Sequence, residues 1–318
     1  MAENGVFLGI DTSNYTTSLS LFDTEGRIIA NLKMLLPVKE GEKGLRQSDA
    51  LFHHTVQLPQ LFEKLKEKLN SAKILAVGVS SRPRDAEGSY MPCFLAGRSA
   101  AVAIADTVGC PLYEFSHQCG HIAAALYSAG RTDLFFDEFA AFHVSGGTTD
   151  LVLVKPSEKT VFNIEKIGGT LDLNAGQLID RTGVMMGLRF PAGPLIESLA
   201  RNYTGEADKV RVSVKDLFCN LSGGENKVRE LYRKNGDKER CAAYAVSYIT
   251  QSLKVISENL RVKFGDIPVI YAGGVMSCSI IKKELSLYGD FASPEFSSDN
   301  AAGIAYLTGK KYLGEKWI

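Results

Sequence analysis

At 318 residues the chain is longer than one hydrophobic core usually fills, and 45% hydrophobic residues, 23% charged residues and 30 glycines exclude a disordered, collagenous or repeat-array protein. Thirty-six basic residues balance 36 acidic ones, which excludes a global positive field, so any polynucleotide partner has to be met by a local patch or a helper protein. No apolar run approaches the roughly 20 residues that cross a bilayer, the N-terminus has no basic leader segment, and the six cysteines form no CxxC pair, so a cytoplasmic protein with reduced thiols and no membrane partner is expected.

In chain order, VFLGIDTSNYTTSLSLF at 6 to 22 reads as an apolar strand, a small polar turn and an alternating strand. Ser48 is predicted to cap a helix running to about Asn70, and ILAVGVSS at 74 to 81 is an apolar strand leading through a turn into a helix. Ser116 is predicted to cap HQCGHIAAALYSAG, which stops at Gly130. AAFHVSGGTTDLVLV at 140 to 154 then repeats the opening pattern, residues 148 to 153 aligning with 16 to 21 at an offset of 132. A strand at 161 to 167 precedes GGTLDLNAGQLIDRTGVMMG and a PAGP turn at 191 to 194, residues 238 to 260 have a strong helical period, and IPVIYAGGV at 267 to 275 is a late apolar strand ended by Gly273-Gly274. Two similar α/β lobes follow, 1–135 and 136–318, the second with an inserted helical segment near 168–235. The last helix is free to pack back on the first lobe.

The turns carry the chemistry. Small residues and hydroxyls let backbone N–H groups approach an anion, so Asp11-Thr12-Ser13 with Thr16-Thr17, and Ser145-Gly146-Gly147-Thr148-Thr149, have the composition of phosphate nests; taken singly, each is equally a hairpin turn. Asp11 can hold a phosphate-bound metal, orient a nucleophile or close an Asx turn. His117 and His121 stand at i and i+4, so one helix face can offer both imidazoles to a metal ion or simply pack them, and Asp299 is available as an oxygen ligand or, with Ser298, as a helix cap. Gly168-Gly169, Asp172, Asp180 and Gly193 suit anion-binding helix starts and ribose-binding carboxylates, with helix boundaries and surface acids as the plain alternative. Gly273-Gly274 leaves room for a flat ring against the backbone. Together these features describe a nucleotide cleft between lobes.

VSGGTTDL at 144 to 151, GGTLDLNAGQLIDRTGVMMGLRFPAGP at 168 to 194, the HQCGH pair, AGGV at 272 to 275 and SSDNAAGIAYL at 297 to 307 resemble segments of the TsaD family, formerly described as glycoproteases, over nearly the whole chain. The resemblance implies the two-lobed actin-like, sugar kinase and Hsp70-like α/β fold. It also implies transfer of a threonylcarbamoyl group from its adenylate to the exocyclic amine of the adenosine next to the anticodon in tRNA. By matching position, His117, His121 and Asp299 resemble the family's ligands for iron or zinc, and His143, Val144, Ser145, Gly146 and Gly147 its adenylate-binding loop. Asp180, Gly193, Glu197, Gly273, Gly274 and Cys278 fall among further nucleotide contacts, with Asp11 as a catalytic candidate. TsaB-like and TsaE-like partners are implied in the same way.

Three departures stand out. The family's ETSCDET turn is DTSNYTT here, putting Tyr15 and Thr16 where acids are expected; its Gly-Pro-Gly segment is replaced by SSRPRDAEGSYMPC at 80 to 93; and an expected asparagine is Cys278. These suggest a diverged member, either a carbamoyl transferase with another acceptor or a non-catalytic nucleotide-binding partner. HQCGH lacks the glutamate that HExxH places between its histidines, which disfavours a metallopeptidase. The densest basic stretch, KVRELYRKNGDKER at 227 to 240, is the place for tRNA phosphates or a solvated helix face.

Overall fold

The computed structural model describes residues 5–13, 15–37, 45–297 and 300–314. It divides the chain into one unit of residues 1–133, 157–163 and 298–318, and a second of residues 134–156 and 164–297. The first contains strands β1 (Gly5–Asp11), β2 (Thr16–Asp23) and β3 (Ile28–Leu35), helix α1 (Gln47–Leu69), strand β4 (Lys73–Arg82), helix α2 (Phe94–Val108), strand β5 (Leu112–Ser116) and helix α3 (His117–Ala129). The second begins with β6 (Phe139–Val144), β7 (Thr149–Ser157) and β8 (Val161–Thr170), apart from the tip of the β7–β8 hairpin at 157–163, followed by α4 (Ala175–Met185), α5 (Gly193–Asn202), the short strands β9 (Ser213–Lys215) and β10 (Phe218–Asn220), α6 (Ser222–Asn235) and α7 (Lys238–Phe264). Strand β11 (Val269–Ala272), a 3₁₀ turn (Gly274–Ser277), α8 (Ser279–Leu285) and β12 (Asp290–Phe291) complete it, and α9 (Ala302–Leu313) belongs to the first unit.

The sheets share a plan. The first has the order β3-β2-β1-β4-β5 and the second β12-β11-β6-β7-β8-β10-β9, so the sequence repeat is a repeat of topology. In each, the opening hairpin is antiparallel, with Asp11 opposite Ser18 and Val144 opposite Thr149, and a later strand adds in parallel, β4 on β1 and β11 on β6. The continuous apolar run of β1 suits a strand covered on both faces, and every residue of β1 is buried. Val6, Leu8 and Ile10 pack with Leu58, Leu61 and Leu65 of α1, while the alternate Phe7 packs against Tyr312 of α9, the tilted rings 5.5 Å apart.

Two helix boundaries differ in kind. Ser116 caps α3 as expected, its hydroxyl accepting from Cys119 N–H at 3.2 Å, and Gly130 ends that helix in the left-handed conformation. Ser48 does not cap α1: the helix begins at Gln47, Arg46 is the capping position, and the Ser48 hydroxyl donates to Asp49. Asp172 is also a capping group, accepting from Leu221 N–H and from the N–H and hydroxyl of Ser222, which fixes the start of α6. Those donors outweigh burial and hold its carboxyl below the ordinary range.

Helix α9 seats so closely on α3 and β1 that side chains are excluded. A Cβ at Gly303 would overlap the Gly120 carbonyl oxygen, and one at Gly9 would overlap the Ala305 backbone. Gly303→Ala therefore forces two backbones apart, at an expected cost of about 3 kcal/mol, the upper part of the overpacking range, checked by urea denaturation. An unchanged midpoint would refute this packing account.

Candidate functional site

Two groups of the sequence-predicted residues assemble, one within each unit. In the first, β1 ends at the buried Asp11, and β4 runs beside it in parallel so that Ser80 comes into reach. Asp11 Oδ1 accepts from Ser13 N–H at 3.0 Å and from the Ser80 hydroxyl at 2.5 Å; Oδ2 accepts from the Ser13 hydroxyl at 3.0 Å and lies 3.0 Å from Nδ1 of His117. The Asp11 carboxylate thus closes an Asx turn and also orients an imidazole. With the carboxylate accepting, the ring hydrogen of His117 sits on Nδ1 and the lone pair on Nε2, the arrangement a metal-ligating histidine needs.

His121 lies one helical turn on, its ring centroid 4.3 Å from that of His117. Two adjacent imidazoles, one held by a buried carboxylate, suit iron or zinc as a partial donor set. Among the described residues no group of three His, Cys, Asp or Glu is gathered for a metal, and Asp299 lies outside them.

The departures in this unit have structural work. Thr16 opens β2 and is buried, and the Tyr15 carbonyl accepts from Leu36 N–H at 2.8 Å. In the replaced 80 to 93 segment, Asp85 accepts from Arg82, from the Ser116 hydroxyl at 2.5 Å and from the Cys119 thiol at 3.1 Å, which ties the segment to the first turn of α3. Burial pushes that thiol up to about 12, so it is an inert packing group.

In the second unit a cavity of about 290 Å³ is lined by Gly146, Asp180, Gly193, Glu197, Gly274 and Cys278, all anticipated from sequence. Its apolar wall, not anticipated, comes from Ile179 of α4, Ile196 of α5, Val246 of α7 and Val275. Asp180 Oδ1 accepts from Ala192 N–H at 2.9 Å, setting the approach to α5. Glu197 Oε1 accepts from Ser279 N–H at 3.0 Å, the Ser279 hydroxyl at 2.5 Å and Arg201 at 2.7 Å. Burial raises the Glu197 pKa, but these donors prevail and hold it below the ordinary range, so the carboxylate is charged. Each acid keeps its second oxygen without a partner among the described residues. Cys278 presents a thiol whose pKa burial raises, a neutral group with weak hydrogen-bonding capacity.

Other predicted residues do not line this cavity but adjoin Gly146 and Gly274 along the chain. The Ser145 hydroxyl accepts from the N–H groups of Gly147 and Thr148 at 3.3 and 3.1 Å, Val144 is fully buried, His143 pairs with Asp150 across the hairpin, and a side chain at Gly273 would overlap Val144. Gly176, missed from sequence, is the reason the turn fits: its N–H donates to the Ser145 carbonyl at 3.1 Å, and a Cβ there would lie 2.6 Å from Gly146 Cα.

A sequence model of the TsaD family, tRNA N6-adenosine threonylcarbamoyltransferase, matches residues 38–306. The tRNA N6-adenosine threonylcarbamoyltransferase of Campylobacter fetus subsp. fetus is 31% identical, covering 96% of this chain and 92% of its own. That of Methanopyrus kandleri is 26% identical, covering 95% and 86%. Among solved structures, component A of (R)-2-hydroxyglutaryl-CoA dehydratase from Acidaminococcus fermentans has a TM-score of 0.54 at 14% identity, covering 97% of this chain and 99% of that one. HypF of T. kodakarensis has a TM-score of 0.58 at 13% identity, covering 98% of this chain and 48% of that one. At such identities the likeness is one of fold, the mixed α/β actin-like class that the sequence resemblance implied. No helix among the described residues is long and apolar enough to cross a membrane.

Proposed function

The chain belongs to the TsaD family of tRNA N6-adenosine threonylcarbamoyltransferases, and from that membership we propose that it transfers a threonylcarbamoyl group from threonylcarbamoyl-AMP to the exocyclic amine of the adenosine next to the anticodon in tRNA. The observation that carries this reading is the convergence of Gly146, Asp180, Gly193, Glu197 and Gly274 on one cavity in a chain of this family. Its volume suits a nucleoside rather than a polymer, since ligand pockets begin at about 300 Å³. The apolar wall receives the flat base, while the unpartnered oxygens of Asp180 and Glu197 accept from ribose hydroxyls. The Ser145-Gly146-Gly147 turn offers backbone amides to the phosphate.

In the transfer, the adenosine amine forms a C–N bond with the carbamoyl carbon, the mixed-anhydride C–O bond breaks, AMP leaves with the electron pair, and the amine gives up a proton. His117 and His121 would hold the metal, with Asp299 as the expected third donor. A bound iron or zinc ion supplies Lewis acidity toward carbonyl or phosphate oxygen. Asp11 is best supported as a positioning residue acting through His117, because both its oxygens are engaged.

The test is modified adenosine formed from threonylcarbamoyl-AMP and unmodified tRNA by metal-loaded protein, alone or with TsaB-like and TsaE-like companions. Native protein yields product, and Glu197→Ala raises the KM for the adenylate about tenfold, the loss expected for a charge-assisted acceptor. No product under either condition would sink the reading.

A further inference from the structure

The basic stretch seen in the sequence is sorted by the fold. Arg240 is tied to Asp208 by two donations of 2.7 and 2.6 Å, and Lys227 lies 2.9 Å from Glu230, so neither adds an unbalanced charge. Arg229, Arg233, Lys234 and Lys238 remain, and the first three line an open groove along α6 with Asn226 and Glu230. Arg233 and Lys234 have no hydrogen bond or ion pair among the described residues.

Helix α4 adds a cation that the linear reading did not contain. Arg181 reaches one oxygen of Glu225 at 3.3 Å, and Arg229 reaches the other at 2.9 Å. The Glu225 side chain is only 14% exposed, whereas Arg181 and Arg229 are 56% and 47% exposed. The acid is covered, and the two guanidiniums it aligns stay outward. Solvent therefore meets Arg181, Arg229, Arg233 and Lys234 against the covered Glu225 and the groove-lining Glu230, four positive charges to two negative, on a chain whose total is zero. Planar guanidiniums held this way match phosphate oxygens. Arg181 also directly follows Asp180, so this surface and the nucleoside cavity share α4.

We infer that this face of α4 and α6 binds the phosphate backbone of the tRNA acceptor. The inference rests on the proposed function and deepens it by naming where the polymer is held. Cations in the last turn of α6 also satisfy the helix dipole, so stability alone does not discriminate; the salt dependence of binding does.

The experiment measures anisotropy of a labelled unmodified tRNA transcript titrated with full-length protein between about 50 and 200 mM salt, for the native chain and Arg233→Ala/Lys234→Ala. Losing two phosphate contacts flattens the slope of log K against log salt by about 1.4 to 1.8 and weakens binding by about tenfold at the low-salt end. AMP affinity of the variant stays native, and Arg233→Glu/Lys234→Glu exaggerates the loss. Superimposed salt slopes, with native protein still binding and modifying tRNA, overturn this inference and leave the function standing. Failure of native protein to bind tRNA at low salt, both alone and with TsaB-like and TsaE-like companions, overturns both.

Discussion

Asp11→Asn is expected to lower both metal retention and the rate of adenosine modification by about 100-fold, the upper end for loss of a group that orients a metal-binding histidine. The substitution keeps the shape but replaces Oδ1 or Oδ2 with an NH₂ group. If Oδ2 is replaced, a donor faces His117 Nδ1, and the ring must take its hydrogen on Nε2 to accept. That tautomer has no lone pair on Nε2 for a metal. If Oδ1 is replaced, a donor faces Ser13 N–H, which cannot accept. The carboxylate is buried with four donors around it, so no water relieves the mismatch. Metal content per chain, initial rate and the nitrogen NMR shifts of His117 together check this. Native metal content with an unchanged His117 tautomer would show that Asp11 serves only the turn.

Gly176→Ala is expected to cost at least tenfold in AMP affinity while leaving the His117 and His121 pair untouched. The added Cβ would lie 2.6 Å from both Gly146 N and Cα, backbone atoms with no rotamer to yield, so the turn itself has to move. Moving it disturbs Gly176 N–H donation to Ser145 and Asn174 donation to Gly147, the two links that set the turn against α4. The cavity wall at Gly146 then shifts by several tenths of an ångström, enough to misplace amides that must meet a phosphate at hydrogen-bond distance. Calorimetry with AMP on the variant and native chain gives the comparison, and equal affinities would mean that the turn does not contribute to binding.

What the sequence by itself determined is local. The period-2 runs with hydroxyl and glycine turns specify the β1–β2 and β6–β7 hairpins, because strand alternation and turn chemistry act between near neighbours. The Ser116 cap and the i, i+4 histidines follow from helix geometry over four residues. The polar side of the cavity, Gly146, Asp180, Gly193, Glu197, Gly274 and Cys278, was legible because the segments that resemble the family lead to those positions, whereas Gly176 and the apolar wall were not.

The tertiary structure decided what those residues touch. Ser80 meets Asp11 only because β4 adds in parallel beside β1, 69 positions along the chain. Gly176 looked like any small residue at a helix start until the turn at Ser145 packed on it, and Asp172, open in the sequence between a binding acid and a helix-boundary group, became the cap of α6, 50 positions away. Arg181 joined the basic face through Glu225 in the same manner. Each of these depends on two backbones brought together across long sequence separations, where strand pairing and exclusion of volume choose the partner. Local periodicity carries no record of that choice.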